Sequence, residues 1–336
     1  MNRRKPSALA GLLESFFRQR LAEQRRASPA TIATYRDALR LLLLFAAEKL
    51  SKAPVQLELK DLDRDLVLAF LNSLEKKRGN SVRTRNARLA AIRSFFQHVT
   101  YCDPSAVHMA QQILSIPSKR ASKKAFDYLT VSELDAVLAV PDFKSRLGRR
   151  DHAMLLFLAR TGARASEAIA LDIEDLRLDT PAQVVLHGKG RKDRVVPLVP
   201  DVVAALRELA KTRTGKLPSE PVFTNARGKR LTRWGVADIV ARTVARAATS
   251  TSPTLRKRRI SPHVFRHTHG MHHLQAGVDL ATIQSLLGHA SIATTNLYVE
   301  ANLDMKRDAL SKAQTSKTEV AKYEPPDEVL AMLEKL

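Results

Sequence analysis

The sequence predicts a mainly α-helical protein with one small antiparallel β-sheet, laid out as two domains. Apolar residues recur at helical spacing through the first hundred residues and again through most of the second half. Only one cluster of β-prone segments occurs, between Ile173 and Leu198. The chain's 336 residues suit two domains, and a basic stretch with two prolines separates them.

The elements follow in order. Ser28 offers an N-cap and Pro29 a first helical residue, after which Ile32, Tyr35, Leu39, Leu42 and Ala46 share one face. The run 41–47 is apolar but short and reads as a buried helical stretch. Ser81 caps a second helix, along which Leu89, Ile92, Phe96 and Val99 repeat at helical spacing. Residues 103–127, with Pro104, Pro117 and the run 118–124, read as a basic linker. This divides the chain into a first domain at 1–102, a second at 128–313 and a tail at 314–336.

In the second domain, Thr130 and Glu133 have capping-box spacing. Residues 151–160 form an apolar helix ended by Gly162 as a left-handed cap. Segments 173–178, 183–187 and 194–198 read as strands, the last two joined by a glycine-rich hairpin that contains Lys189. No repeat of 20 to 50 residues occurs, which excludes a helical solenoid. In the tail, Asp327 can cap a short helix after Pro325-Pro326, with Val329, Met332, Leu333 and Leu336 on one face.

The formal net charge of +22 and the pI of about 10.4 point to a polyanionic partner, because Lys and Arg gain by displacing counterions from phosphates. A membrane surface is the rival partner, but no apolar run approaches the roughly 20 residues that span a bilayer. Arg3, Arg4 and Lys5 precede no signal-peptide core, since Glu14 interrupts it. A single Cys102 excludes an internal disulfide and argues against a cysteine-based zinc site. The reading is a cytoplasmic, nucleoid-associated protein. Aromatic residues make up 5%, low for stacking on single strands, so duplex DNA is the expected partner.

Seven basic residues lie between Lys76 and Arg93 with no acidic residue among them: Lys76, Lys77, Arg78, Arg83, Arg85, Arg88 and Arg93. Most charge runs are solvated faces. With no carboxylate partner nearby in sequence, this one reads as a phosphate-contacting face. Lys76, Lys77, Arg83, Arg85 and Arg88 are its expected contacts, joined by Arg230 and Arg258 from basic runs further on. The Ser/Thr-rich stretch 247–253 reads as a flexible loop that orders on DNA.

Three fragments carry the chemistry: 161–167 (Thr-Gly-Ala-Arg-Ala-Ser-Glu), 263–268 (His-Val-Phe-Arg-His-Thr) and Leu-Leu-Gly-His289-Ala-Ser-Ile-Ala-Thr-Thr-Asn-Leu-Tyr298. Two arginines, two histidines and a tyrosine can cut a phosphodiester without metal. A guanidinium fits a phosphate bidentately and cannot lose its proton. Fixed cations aimed at the developing charge stabilise the transition state. Tyrosine, with a pKa near 10, is a weak nucleophile until its site favours the phenolate. Taken singly, Arg164 is a surface charge, Lys189 a solvated hairpin tip and Tyr298 a core or surface residue. The combination, in order, is what singles them out.

In this order and spacing the set resembles the tyrosine recombinase (phage-integrase) family, of the Xer-like two-domain type, from about residue 12 to about 310. The resemblance implies a helical, SAM-like core-binding domain and an α/β catalytic domain that close on duplex DNA as a C-shaped clamp. It implies that Arg164 and Arg266 clamp the scissile phosphate and Lys189 protonates the leaving 5′ oxygen. His263 would act as general base or acid, and His289 would donate to a non-bridging oxygen. Tyr298 would attack, leaving a 3′-phosphotyrosyl link, with Glu167 orienting its neighbours. No metal or cofactor is implied. The implied assembly is a homotetramer on a specific recombination site, alone or with a related recombinase, joined through the tail.

Other readings compete. His263, His267, His269, His272 and His273 crowd eleven residues, and two pairs have the i,i+4 spacing of a helical zinc site. From Ser261, however, no acidic residue follows until Asp279, so a hydrolytic base is missing. The run 270–273 also departs from the more common small and apolar pattern of the family. A type IB topoisomerase would share the chemistry, and a non-catalytic DNA-binding protein would share the fold. The tail argues against the first and the intact residue set against the second.

Overall fold

The computed structural model describes residues 8–121, 127–188, 193–211, 217–288 and Thr295. It divides into two compact units, 1–124 and 125–336, joined near Lys124.

The first unit is all helical. Helix α1 (Ala8–Ser15) runs into a π-helical stretch, Phe16–Gln24, followed by α2 (Pro29–Leu50), α3 (Arg64–Lys76), α4 (Val82–Cys102) and α5 (Val107–Leu114). The serine caps set the starts: Ser28 Oγ accepts the Thr31 N–H and Ser81 Oγ the Thr84 N–H, both at 3.2 Å. Leu39, Leu42 and Ala46 from α2 meet Phe70 and Leu71 from α3, and Leu89, Ile92, Phe96 and Val99 from α4, in one buried cluster. Each such large side chain contributes up to about 1.5–3 kcal/mol by leaving water.

The stretch read as a linker begins as part of this unit. Asp103 accepts from Ser105, Pro104 opens a short 3₁₀ turn, and α5 follows. Ala106, Ala110, Ile113 and Ile116 are buried in the same cluster. Prolines and basic residues suggested a linker, but the small-apolar period beneath them anchors this segment to α3 and α4.

The second unit contains α6 (Val131–Leu138), α7 (Arg146–Thr161), α8 (Ala165–Ala170), β1 (Leu176–Arg177), β2 (Gln183–His187), β3 (Asp193–Pro197), α9 (Pro200–Lys211), α10 (Arg233–Ser250), α11 (Pro262–Gln275) and α12 (Leu280–Leu287). The Thr130–Glu133 capping box forms in both directions, at 3.2 and 3.0 Å. Residues 153–159 of α7 are all buried. A helix apolar all round is a central one, and α9 and α11 pack against it. The sheet is antiparallel in the order β1-β2-β3, with Val184 opposite Val196 and Leu186 opposite Arg194.

Two expectations change here. The first expected strand is mostly a 3₁₀ turn, Ile173–Asp175, because the Asp175 carboxylate accepts the Asp172 N–H at 2.9 Å and tightens the backbone. Only Leu176 and Arg177 pair with β2. The expected flexible loop at 247–253 is helical through Ser250, since Ala247 and Ala248 are buried against the core and hold that turn in place. The 3₁₀ turn Pro253–Lys257 then packs back on α10, with Leu255 buried in the core. No described helix is long and apolar enough to cross a membrane.

Candidate active site

Gly162 ends α7 in the left-handed conformation, φ 61°, and lets the chain turn at once into α8. A Cβ there would meet Leu287 Cδ2 at 2.6 Å and His269 Cδ2 at 2.8 Å, so α11 and α12 close directly onto this turn. Arg164 is the N-cap of α8, and its backbone N–H donates to Glu167 Oε2 at 2.8 Å. Its side chain, 35% exposed, donates from Nη1 to Glu167 Oε1 at 2.6 Å. Glu167 is buried, and Arg194 from β3 grips both its oxygens at 2.9 Å. Burial alone would raise this carboxyl's pKa. The hydrogen bonds from Arg194 and from the Arg164 N–H outweigh it and hold the pKa below the ordinary range. Two guanidiniums face one carboxylate, which leaves the trio net cationic.

Arg266, on α11, is 1% exposed. Its Nη1 donates to the Gly162 carbonyl at 2.7 Å and its Nη2 to the Leu287 carbonyl. These two carbonyls hold the guanidinium beneath the α7–α8 turn. His263, one helical turn earlier, keeps an exposed ring. Partial burial, then the charges of Arg266 and Arg164, lower its pKa and leave the imidazole neutral at pH 7. His267 lies edge-on to it, with ring centres 4.5 Å apart. Burial first, then His263 and Arg266, push the His267 pKa down to about 4. Arg164, Ser166, Arg233, Trp234, Ser261 and His263 line one cleft of about 580 Å³.

The structure therefore places Arg164 and His263 on one opening, with Arg266 buried near them. Lys189, His289 and Tyr298 lie outside the described residues, as does the tail. The remaining histidines of α11 serve the fold. His269 Nδ1–H donates to the Ala159 carbonyl, His272 Nε2–H to Leu129 and His273 Nδ1–H to His269, at 3.0, 2.9 and 2.8 Å. Burial, then the nearby His273, pushes the His269 pKa down to about 3. Among the described residues no three His, Cys, Asp or Glu side chains come together as metal ligands.

Lys76, Lys77 and Arg83 stand exposed in the first unit, together with Arg78. The other four expected DNA contacts are engaged within the protein. Arg85 is 3% exposed and donates to the Pro117 carbonyl at 3.2 Å. Arg88 is paired with Asp37 at 2.8 Å. Arg230 holds Asp172 and the Ile169 carbonyl. Arg258 joins Glu133, Asp127 and the Tyr128 carbonyl. Arg93, in the same basic run, bonds the Ile116 carbonyl. The partners lie far away in sequence, which is why a run without neighbouring carboxylates looked free.

Two residues of the site escaped the sequence reading. Arg194 sits opposite Leu186 in the hairpin, and nothing in a strand of alternating character marks it as the partner of Glu167. Trp234 is 86% exposed at the start of α10. Its signal was available: the chain's one tryptophan follows Arg233 just after a helix cap, Thr232.

The phage integrase family model matches residues 127–305, and the phage integrase N-terminal SAM-like domain matches residues 13–100. The chain is 52% identical over 277 residues to a putative integrase/recombinase, y4rD, of Sinorhizobium fredii, covering 82% of this chain and 98% of that protein. It is 34% identical to the tyrosine recombinase XerC of Pelobacter propionicus, covering 88% of this chain and 93% of that one. Among solved structures, the XerH site-specific recombinase bound to a palindromic difH substrate, in a post-cleavage complex, aligns with a TM-score of 0.65 and 26% identity, over 86% of this chain and 81% of that one. The two-unit fold and these matches define a protein that cleaves and rejoins DNA. The chain belongs to the phage integrase family, the tyrosine recombinases.

Proposed function

We propose that this protein is a site-specific recombinase that cuts and rejoins duplex DNA through a 3′-phosphotyrosyl intermediate. The observation that carries the proposal is the placing of Arg164 and a neutral His263 on one open cleft, with the Arg266 guanidinium buried beside them. Both cations are oriented before substrate arrives, so little reorganisation is needed as charge develops on the phosphate.

In this reading Arg164 and Arg266 hold the non-bridging oxygens of the scissile phosphate. The Tyr298 oxygen attacks phosphorus while His263 takes its proton. The bond from phosphorus to the 5′ oxygen breaks, and Lys189 protonates that oxygen. His289 donates to a non-bridging oxygen. One phosphodiester becomes a phosphotyrosyl ester and a free 5′ hydroxyl, so the linkage energy is kept and rejoining needs no ATP. Lys76, Lys77 and Arg83 contact backbone phosphates from the first unit. The active assembly is a homotetramer on DNA, joined by tail helices passed between protomers, because a heterologous contact of this kind closes into a ring.

The test uses nicked suicide duplexes tiled across the DNA that flanks the protein's own gene. Wild type is expected to be trapped on one of them as a covalent adduct on a denaturing gel. Tyr298→Phe should bind that duplex with unchanged affinity and give no adduct. A Tyr298→Phe protein that is still trapped means the nucleophile is another residue. Deleting residues 328–336 should leave single-site binding intact and abolish the four-subunit complex.

A further inference from the structure

We propose that Arg194 is a positioning residue that occupies the carboxylate of Glu167 and so keeps the charge of Arg164 from being compensated there and leaves it turned toward the phosphate. This rests on the recombinase reading above. One buried carboxylate, Glu167, has two arginine neighbours. Glu167's side chain is 3% exposed, Arg194's 11% and Arg164's 35%. Arg194 takes both oxygens in a fork, Nη1 to Oε1 and Nη2 to Oε2, each at 2.9 Å. Its third donor, Nε, reaches the Leu286 carbonyl at 3.0 Å. These three bonds aim the guanidinium at Glu167 and at the end of α12, which fits a residue that positions its neighbours.

The electrostatic consequence is specific. Arg194 and Glu167 neutralise one another, so the net charge of the trio resides on Arg164, the member that is open to the cleft. Without Arg194, the only strong donor left to the buried carboxylate would be Arg164. A bidentate pair would then form between them, quench the cation and draw it away from the phosphate. Arg194 also ties down the segment that leads to His289. It bonds the end of α12 through Leu286, and its Cδ lies where a Cβ on Gly288 would stand, at 2.9 Å. Gly288, at φ 63°, is thus required both by its backbone and by this packing. Five residues upstream of Arg194 in the sequence is Lys189. One side chain therefore connects the hairpin, the Arg164 cap and the approach to His289.

The test is single-turnover cleavage at saturating protein, on the nicked duplex that traps wild type, with urea unfolding to measure the folded fraction. Arg194→Ala should slow cleavage about 100-fold, the scale of losing one transition-state donor. Glu167→Gln should slow wild type but speed Arg194→Ala by about tenfold, because it removes the charge that quenches Arg164. This reversal of sign is the expected signature, and packing alone does not produce it. Arg194→Lys keeps the charge without the fork and should fall between. If Arg194→Ala folds poorly, the Arg194→Lys protein with and without Glu167→Gln gives the same comparison. Cleavage by folded Arg194→Ala within about twofold of wild type, or a Glu167→Gln change that slows both backgrounds alike, overturns the proposal. Arg164→Ala cutting at the wild-type rate is a separate failure: it removes the clamp assignment, and the role of Arg194 falls with it.

Discussion

Arg258 and Arg266 lie eight residues apart in the sequence, and both are drawn inward, yet they face different partners. Arg258 meets two carboxylates, Glu133 and Asp127, so its charge is matched within the fold. Arg266 is held by two carbonyls, those of Gly162 and Leu287. The same contrast separates Arg88, paired with Asp37, from Arg164, which shares its carboxylate with a second arginine. In a chain with 56 lysines and arginines, basic character alone says little about which of them acts on phosphate. The partner of each guanidinium says more. Two carboxylates bind Arg258 into the fold, whereas two carbonyls hold Arg266 beneath the α7–α8 turn.

The largest expected effect tests the Arg266 side of this contrast. Arg266→Ala, like Arg164→Ala, should cost at least ~3 kcal/mol of transition-state stabilisation, read as single-turnover cleavage per folded molecule. If folded Arg266→Ala cuts normally, Arg266 belongs with Arg258 and the contrast breaks.

Arg258→Ala is the complement. It leaves Glu133 largely buried with fewer partners, and should lower the unfolding free energy of the second unit by about 2 kcal/mol, discounted because the arginine is partly exposed. Urea unfolding measures this. Cleavage per folded molecule should stay within about twofold of wild type. A steep loss of DNA binding at unchanged stability would return Arg258 to the DNA-contact reading.

A smaller effect should appear with pH. The His269 pKa is pushed down to about 3 by burial and then by His273. An unfolded histidine titrates near 6.5. Between those values the unfolded chain binds the extra proton, so stability is full above about 6.5 and falls as pH drops toward 3. The slope from this one group is at most ~1.4 kcal/mol per pH unit. Unfolding followed from pH 7 to pH 4 should show it, and His269→Phe should flatten the slope. A wild-type slope that His269→Phe leaves unchanged would assign the acid sensitivity to other groups, such as His267.

The smallest effect distinguishes exposed from engaged arginines within the first unit. Arg83→Ala should reduce the slope of log binding constant against log salt by about one. Arg85→Ala should leave the slope unchanged and destabilise the unit instead, because its guanidinium holds the Pro117 carbonyl. Equal changes in slope from both would mean that Arg85 swings outward on DNA.

Much of the fold was legible because its signals are local. Ser28, Ser81 and Thr130 cap helices through side chains three residues from their targets, and Gly162 takes the left-handed cap that ends α7. The cleft was legible for a different reason. Arg164, His263 and Arg266 lie in short fragments whose order and spacing carry the family resemblance, and the structure brings the three together. The Arg194–Glu167 fork, the exposure of Trp234 and the partners that Arg85, Arg230 and Arg258 find within the protein were not legible. Each depends on contacts between groups distant in the chain, 27 residues apart for Arg194 and Glu167 and 125 for Arg258 and Glu133. Helix caps and periodicity are decided within a turn or two of backbone, so the sequence by itself determined the elements and the identity of the chemistry. The balance of charge around each arginine is decided only when folding selects its neighbours, and that was left to the tertiary structure.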